Sequence, residues 1–412
     1  MLRLHDPIAR VASVSGVSGP AASRPTVAAS RPIPGDRVVD GRDRFLDLVR
    51  VVAIVRVLVI HGAATTSTLW WPVPSWILPG MPLVFFTAGA LAEPSLRRTG
   101  AARFHRDRLR RLLVPYWAVL AVGLATLVVG AAIRGGDRWT LRPHRLLDAV
   151  VPIVQPRVAP VLTDLGTHLW FASTFVVLIA LTPALVALHR RRPLQPMFTC
   201  VALFVVLNTV DRLWVPVPIE VLHIPMYGIF LYAGFGYSDG TLVDRPDRPT
   251  GGRVAWLRPS TAAVVVAVAV AVGWTAFLRG TRDLNHDLVG HTCVAAGWLV
   301  AVLALRTPLR RIGTTWAHLL DRITPRTLTL YLWGAPAGVV AWRIAEHNSA
   351  PAGRLVVYIT ATVLLTAAAL AVFGRLEDLA AGRRVVTADR HHTLRSPRSR
   401  VRAPTGLIDL GP

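Results

Sequence analysis

The sequence predicts an all-α fold, a polytopic transmembrane bundle of about ten spans, and three observations predict it. Of 412 residues 53% are hydrophobic and only 17% charged, with a mean hydropathy of +0.47. The apolar residues come in blocks, most of them long enough at 1.5 Å per residue to cross a hydrocarbon core of about 30 Å. The arginines crowd into alternate gaps between those blocks, which is the signature of topology.

Residues 1–43 mix Ala, Ser, Pro, Val and Arg with no continuous apolar stretch and no cleavage signal. They read as a disordered cytoplasmic tail. The membrane domain, 44–374, contains ten segments that satisfy the length of a crossing, at 46–66, 76–93, 112–133, 165–188, 197–215, 219–237, 260–278, 287–305, 325–345 and 354–374. The fifth is the weakest, because Asp211 and Arg212 interrupt its end. The stretch 147–162 holds Pro152, Pro156 and Pro160 and is expected to be a loop or a re-entrant segment. Residues 375–412 have too few apolar residues to fold alone and read as an Arg-rich cytoplasmic tail. Trp70, Trp71, Trp76 and Trp139 fall near span ends, where an indole anchors at the lipid–water interface.

All 46 basic side chains are arginine, and the net charge is +23. With ten spans, and with arginines at span ends counted in the adjacent loop, 34 fall in the two tails and the loops on their side and 10 in the opposite loops, Arg50 and Arg56 being inside the first span. The positive-inside rule then places both termini in the cytoplasm and the protein in the plasma membrane. Because topology accounts for the charge, nucleic acid is excluded as a partner and the lipid bilayer is expected as one. Cys200 and Cys293 both lie inside spans, so neither a disulfide framework nor a thiolate metal site is indicated.

The first span carries the residues of most chemical interest. Arg50 and His61 are eleven steps apart, which leaves them about 20° apart around a helix and about 16 Å apart along it. Ionisable groups in such a segment are functional suspects. Asp47 is one turn from Arg50 and suited to pair with it. Arg56 is on another face, where it needs a polar partner, Asp211 or Glu220 being candidates. A second signal is Phe104-His105-Arg106-Asp107-Arg108-Leu109-Arg110-Arg111, leading into Pro115-Tyr116. It is a positive-inside flank that would also suit a polyanionic, phosphate-bearing donor, since guanidinium binds phosphate in forked geometry. His168, His223 and His291 border or occupy other spans, but their spacing shows no metal pattern, and packing or loop roles are expected of them.

Asp47-Leu48-Val49-Arg50, His61, Phe85-Phe86-Thr87-Ala88-Gly89, the arginine run ending at Pro115-Tyr116, and His168-Leu169-Trp170-Phe171 occur in that order. Together they resemble the acyltransferase-3 family of integral membrane acyltransferases, with its Arg-x10-His motif. The resemblance implies transfer of an acyl group, acetyl being the one expected, from cytoplasmic acyl-CoA to a hydroxyl of a sugar, glycan or small molecule. It implies that Arg50 and the arginines of the following loop, among Arg108, Arg110 and Arg111, bind the donor, and that His61 is catalytic. The chain departs from the family where Asp-Gly-Leu-Arg is usual and Leu48-Val49 stand, and where Ala88-Gly89-Ala90 replace Ser-Gly-Phe. Neither change removes an ionisable group.

An imidazole with an ordinary pKa near 6.5 is suited to take the proton of an attacking hydroxyl. His61 is therefore expected to act as general base, with an acyl-histidine relay as the alternative. Tyr116, Trp170 or a backbone amide are candidates for the oxyanion partner. No bound cofactor and no metal are expected; acyl-CoA enters as a substrate. The competing reading, a secondary transporter or flippase, calls for symmetry-related broken helices, whereas the suspicious residues cluster in the first three spans.

Overall fold

The computed structural model describes residues 42–66, 73–137, 140–154, 158–160, 167–243, 257–348 and 350–382. Both predicted tails, apart from their innermost residues, and Trp70, Trp71 and Trp139 lie outside the described residues. The described chain is all helical, without a strand. Its principal elements are α1 (Arg44–Thr66), α2 (Gly80–Thr99), α3 (Ala101–Arg134), α4 (Trp170–Arg191), α5 (Gln195–Leu213), α6 (Ile219–Asp239) and α7 (Pro259–Leu278). They continue through α8 (Leu288–Ala304), α9 (Arg306–Thr315), α10 (Ala317–Ile323), α11 (Thr327–Ala345) and α12 (Pro351–Ala380).

Six of these helices, α3, α4, α5, α6, α7 and α12, are long and apolar enough to cross a membrane. The pair α8 and α9 passes the same test only jointly and is bent by 70°. A count of ten therefore does not follow from length and apolarity. Each of the ten predicted segments nonetheless overlaps a helix, and the reason α1 and α2 fall short is visible in their sequences. The first carries Arg44, Asp47, Arg50 and Arg56, and the second Glu93, Arg97 and Arg98. Of these, Asp47 and Glu93 are buried and Arg44, Arg50 and Arg56 half-buried, whereas Arg97 and Arg98 at the end of α2 are exposed. The carboxylate of Glu93, nearly fully buried, accepts from Arg97 at 2.7 Å and from Arg190 at 3.2 Å.

The centre of the bundle is α2 against α6. Phe85, Phe86 and Ala88 of the former and Tyr227, Phe230, Leu231 and Phe235 of the latter are buried in one core. The two backbones touch at Gly89 and Gly234, where an added methyl would collide with the carbonyls of Leu231 and Phe86 respectively. Small residues at such a crossing let helices approach closely where lipid supplies no hydrophobic drive. One face of α1 (Val49, Ala53, Ile54, Val57) joins the same core, while Val52, Val55 and Val59 face outward. Gly334 of α11 receives Leu58 of α1, and a side chain there would clash with it.

The segment 94–111, expected to be a loop, is helical except at Gly100, whose φ of 74° ends α2 and turns the chain into α3. Ala, Arg and Leu are strong helix formers, and Pro94, although inside α2, does not end it. The arginine run is consequently the first part of one 34-residue helix. At 1.5 Å per residue that helix is about 51 Å long, well beyond a hydrocarbon core of about 30 Å. In the proline-bearing stretch the chain forms a short helix at Leu146–Val150, and the Val158 carbonyl accepts from Arg142 N–H at 2.8 Å. The weakest predicted span is a continuous helix to Leu213, after which the Asp211 carboxylate accepts from Val217 N–H at 2.9 Å and holds the turn.

Candidate active site

Helical phase decides which arginines of α3 can act together. Arg108 and Arg111 are three steps apart and so about 60° apart around the axis, while Arg110 is about 160° from Arg108. Arg108 and Arg111 accordingly line one cavity of about 140 Å³, together with Arg50 of α1. Its remaining wall comes from α2 (Ala88), α4 (Phe171, Phe175), the start of α11 (Thr327, Leu328, Tyr331) and α12 (Glu377). Arg110 points elsewhere and donates to the Leu379 carbonyl at 3.0 Å, tying α3 to the end of α12. The Arg108 guanidinium sits over the Phe104 ring at 5.5 Å and donates to the Leu91 carbonyl at 3.4 Å, which holds the charge at the cavity wall. Glu377 is buried, and its carboxylate accepts from the Thr329 hydroxyl at 2.6 Å and amide at 3.0 Å.

His61 lies further along α1. Its ring stands edge-on to that of His168 with centroids 6.2 Å apart. His168 precedes α4 and is only 1% exposed. One ring nitrogen, Nε2, is 3.2 Å from the Leu332 carbonyl, and because a carbonyl only accepts, that nitrogen carries the proton. Nδ1 is then an acceptor, buried without a protein partner. The Tyr331 hydroxyl donates to the His168 carbonyl oxygen, and the Tyr331 and His168 rings meet edge-on at 5.5 Å. Since Tyr331 also lines the arginine cavity, it bridges the guanidinium cluster and the imidazole pair. In the sequence His168 stood as a histidine bordering or occupying a span, part of the His168-Leu169-Trp170-Phe171 motif, with a packing or loop role expected of it. What the sequence missed is its partnership with His61.

The other expected residues are placed as follows. Asp47 approaches Arg44 at 3.7 Å, and Arg44 in turn binds Asp321 at 2.6 Å, which fixes the start of α1. Arg56 donates to the carbonyls of Ile77 at 3.1 Å and Ser75 at 3.2 Å, stitching α1 to the chain before α2. The Tyr116 hydroxyl is committed to the Ala149 carbonyl at 2.8 Å. Trp170 packs on His223 at 4.5 Å and Tyr227 at 5.4 Å, in an aromatic cluster that continues to Phe85. Among the described residues, no three His, Cys, Asp or Glu side chains gather where they would hold a metal ion.

Arginines converging on a cavity and an imidazole pair deeper along the same helix frame the comparison with known proteins. A family described as an acyltransferase domain matches residues 43–374, most of the chain. The chain belongs to the acyltransferase-3 family. Neither the curated proteins nor the solved structures gave a match. Within this acyltransferase, the motif residues Arg50, Phe85, Ala88, Arg108 and Phe171 come from four different helices and share one wall or its backing.

Proposed function

We propose that this membrane acyltransferase moves an acyl group, acetyl in the simplest case, from cytoplasmic acyl-CoA to a hydroxyl of a sugar, glycan or small-molecule acceptor. It would be an acyltransferase for groups other than amino-acyl groups, embedded in the plasma membrane by about ten spans with both termini in the cytoplasm. The observation that carries the reading is the arrangement along α1. Arg50 joins Arg108 and Arg111 at one cavity, and His61 meets His168 about 16 Å further along the helix. Guanidiniums suit the phosphates of the donor, and an extended pantetheine arm is of the length that would bring a thioester from that cavity to His61.

In this scheme His61 takes the proton of the acceptor hydroxyl as its oxygen attacks the thioester carbonyl carbon. The tetrahedral intermediate collapses, the carbon–sulfur bond breaks, and the CoA thiolate leaves and recovers the proton from the imidazolium. His168 is a positioning residue: its edge-on contact holds the His61 ring, and it is itself held by Leu332 and Tyr331. The test uses membranes containing the full-length protein, radiolabelled acetyl-CoA and an envelope or metabolite fraction as acceptor. Label transferred above that of membranes lacking the protein is the expected result. No transfer from any acyl-CoA overturns the proposal.

A further inference from the structure

A second cavity, of about 440 Å³ and open on the side where Val122, Val340 and Val372 are exposed, has His168 of the imidazole pair in its wall. Its walls are Leu120 and neighbours on α3, Trp333 and Ala337 on α11, and Ala369 and Phe373 on α12. Trp333 and Phe373 stack at 4.1 Å with their planes 15° apart and form a flat aromatic wall. The lining contains a single ionisable side chain, His168, the residue whose ring contacts His61. No guanidinium or carboxylate reaches it.

We propose that this chamber receives the hydrocarbon tail of the acyl group, so that the enzyme accepts acyl-CoAs with chains of about eight carbons as well as short ones. The inference rests on the acyl-CoA reading above and specifies its donor. Three observations support that occupant. His168, whose ring meets that of His61, stands in the chamber's wall, so a thioester beside His61 lies one side chain away from the apolar lining. The arginine cavity, where the phosphates would lie, is separate, shares no lining residue with the chamber and touches it through the Tyr331–His168 hydrogen bond, so donor head and donor tail would occupy different places. The lining is apolar and of a volume in the range of ligand pockets, far larger than a two-carbon group fills. Each methylene removed from water into such a lining contributes about 0.8 kcal/mol, which favours an occupant with several of them and offers nothing to a sugar.

The experiment measures kcat/KM of the full-length protein in membranes with acetyl-, butyryl-, octanoyl- and palmitoyl-CoA. Octanoyl-CoA is expected to match or exceed acetyl-CoA. Ala369→Phe, which fills the chamber, should lower the octanoyl-to-acetyl ratio of kcat/KM at least tenfold. Val372→Ala, which enlarges it, should shift the preferred length upward and raise the palmitoyl-to-octanoyl ratio about threefold. Transfer of acetyl but not of longer chains overturns this proposal and leaves the acyltransferase reading standing, whereas no transfer from any donor overturns the latter. Ratios that neither substitution moves also overturn the proposal and would mark the chamber as a seat for a bilayer lipid tail.

Discussion

The two cavities differ in nearly every physical respect, and between them stand Tyr331, which lines one, and His168, which lines the other and accepts from the Tyr331 hydroxyl at its carbonyl. The one at Arg50, Arg108 and Arg111 is small and rimmed with positive charge, with Glu377 in the wall. The one at Leu120, Trp333 and Ala369 is three times larger and aliphatic or aromatic, with His168 as its single ionisable group. A charged cavity gives affinity and orientation to an anion, whereas an apolar one discriminates by length and shape and sets the dielectric around a nearby proton transfer. On the proposed reading, donor capture and chemistry therefore fall at different places along α1. Substitutions in the two regions should separate in KM and kcat.

The largest expected effect is at His61. His61→Ala should reduce transfer by about a thousandfold, the order contributed by a general base, with unchanged accumulation of the protein in membranes. Equal transfer by this variant and the wild type would break the division, because the chemistry would then lie elsewhere. Next, Arg108→Ala should raise KM for acyl-CoA by about thirtyfold with kcat little altered, since one charged hydrogen-bonding partner is lost from ground and transition states alike. A fall in kcat at unchanged KM would show that the arginine cavity takes part in the chemical step. His168→Asn should lower kcat about tenfold with KM for the donor unchanged, consistent with loss of orientation and not of binding. A pH profile of kcat that shifts in this variant would sharpen its role toward His61, which a merely structural histidine would leave in place. The smallest effect belongs to Arg110→Ala, less than about twofold on either parameter, because a surface guanidinium bonded to one carbonyl contributes little. Steady-state kinetics with labelled donor read all four.

How much of this was legible in the sequence depended on distance along the chain. Arg50 and His61 share a helix, and their common face follows from spacing alone. The distinction between Arg108 or Arg111 and Arg110 follows from the same arithmetic, but only once the arginine run is read as helix. Treated as a loop, it gives no phase, and the three residues look alike. His168 is over a hundred residues from His61, and no periodicity carries a contact between separate helices. The apolar chamber left no trace either, since leucines and alanines that line a cavity and those that fill a core spell the same pattern. The helix count was hard for a related reason. Helices packed inside a bundle can keep charges that a lipid-facing helix cannot, so apolarity alone passes over α1 and α2.

The helix α3 carries its cavity-lining arginines and its chamber-lining residues on opposite sides of a proline. Pro115 lies inside that helix, between the arginines at 108 and 111 and the chamber wall at Leu120. A proline there denies the Arg111 carbonyl its helical partner and makes the position the softest point of the rod. Immediately beyond it, Tyr116 and Trp117 are pinned to the carbonyls of Ala149 and Val150 at 2.8 and 2.9 Å. The rod thus consists of a fixed arm and a hinged arm. On the proposed reading, a polyanion that draws the guanidiniums together would displace the hinged arm and leave the pinned arm, with the chamber wall, in place.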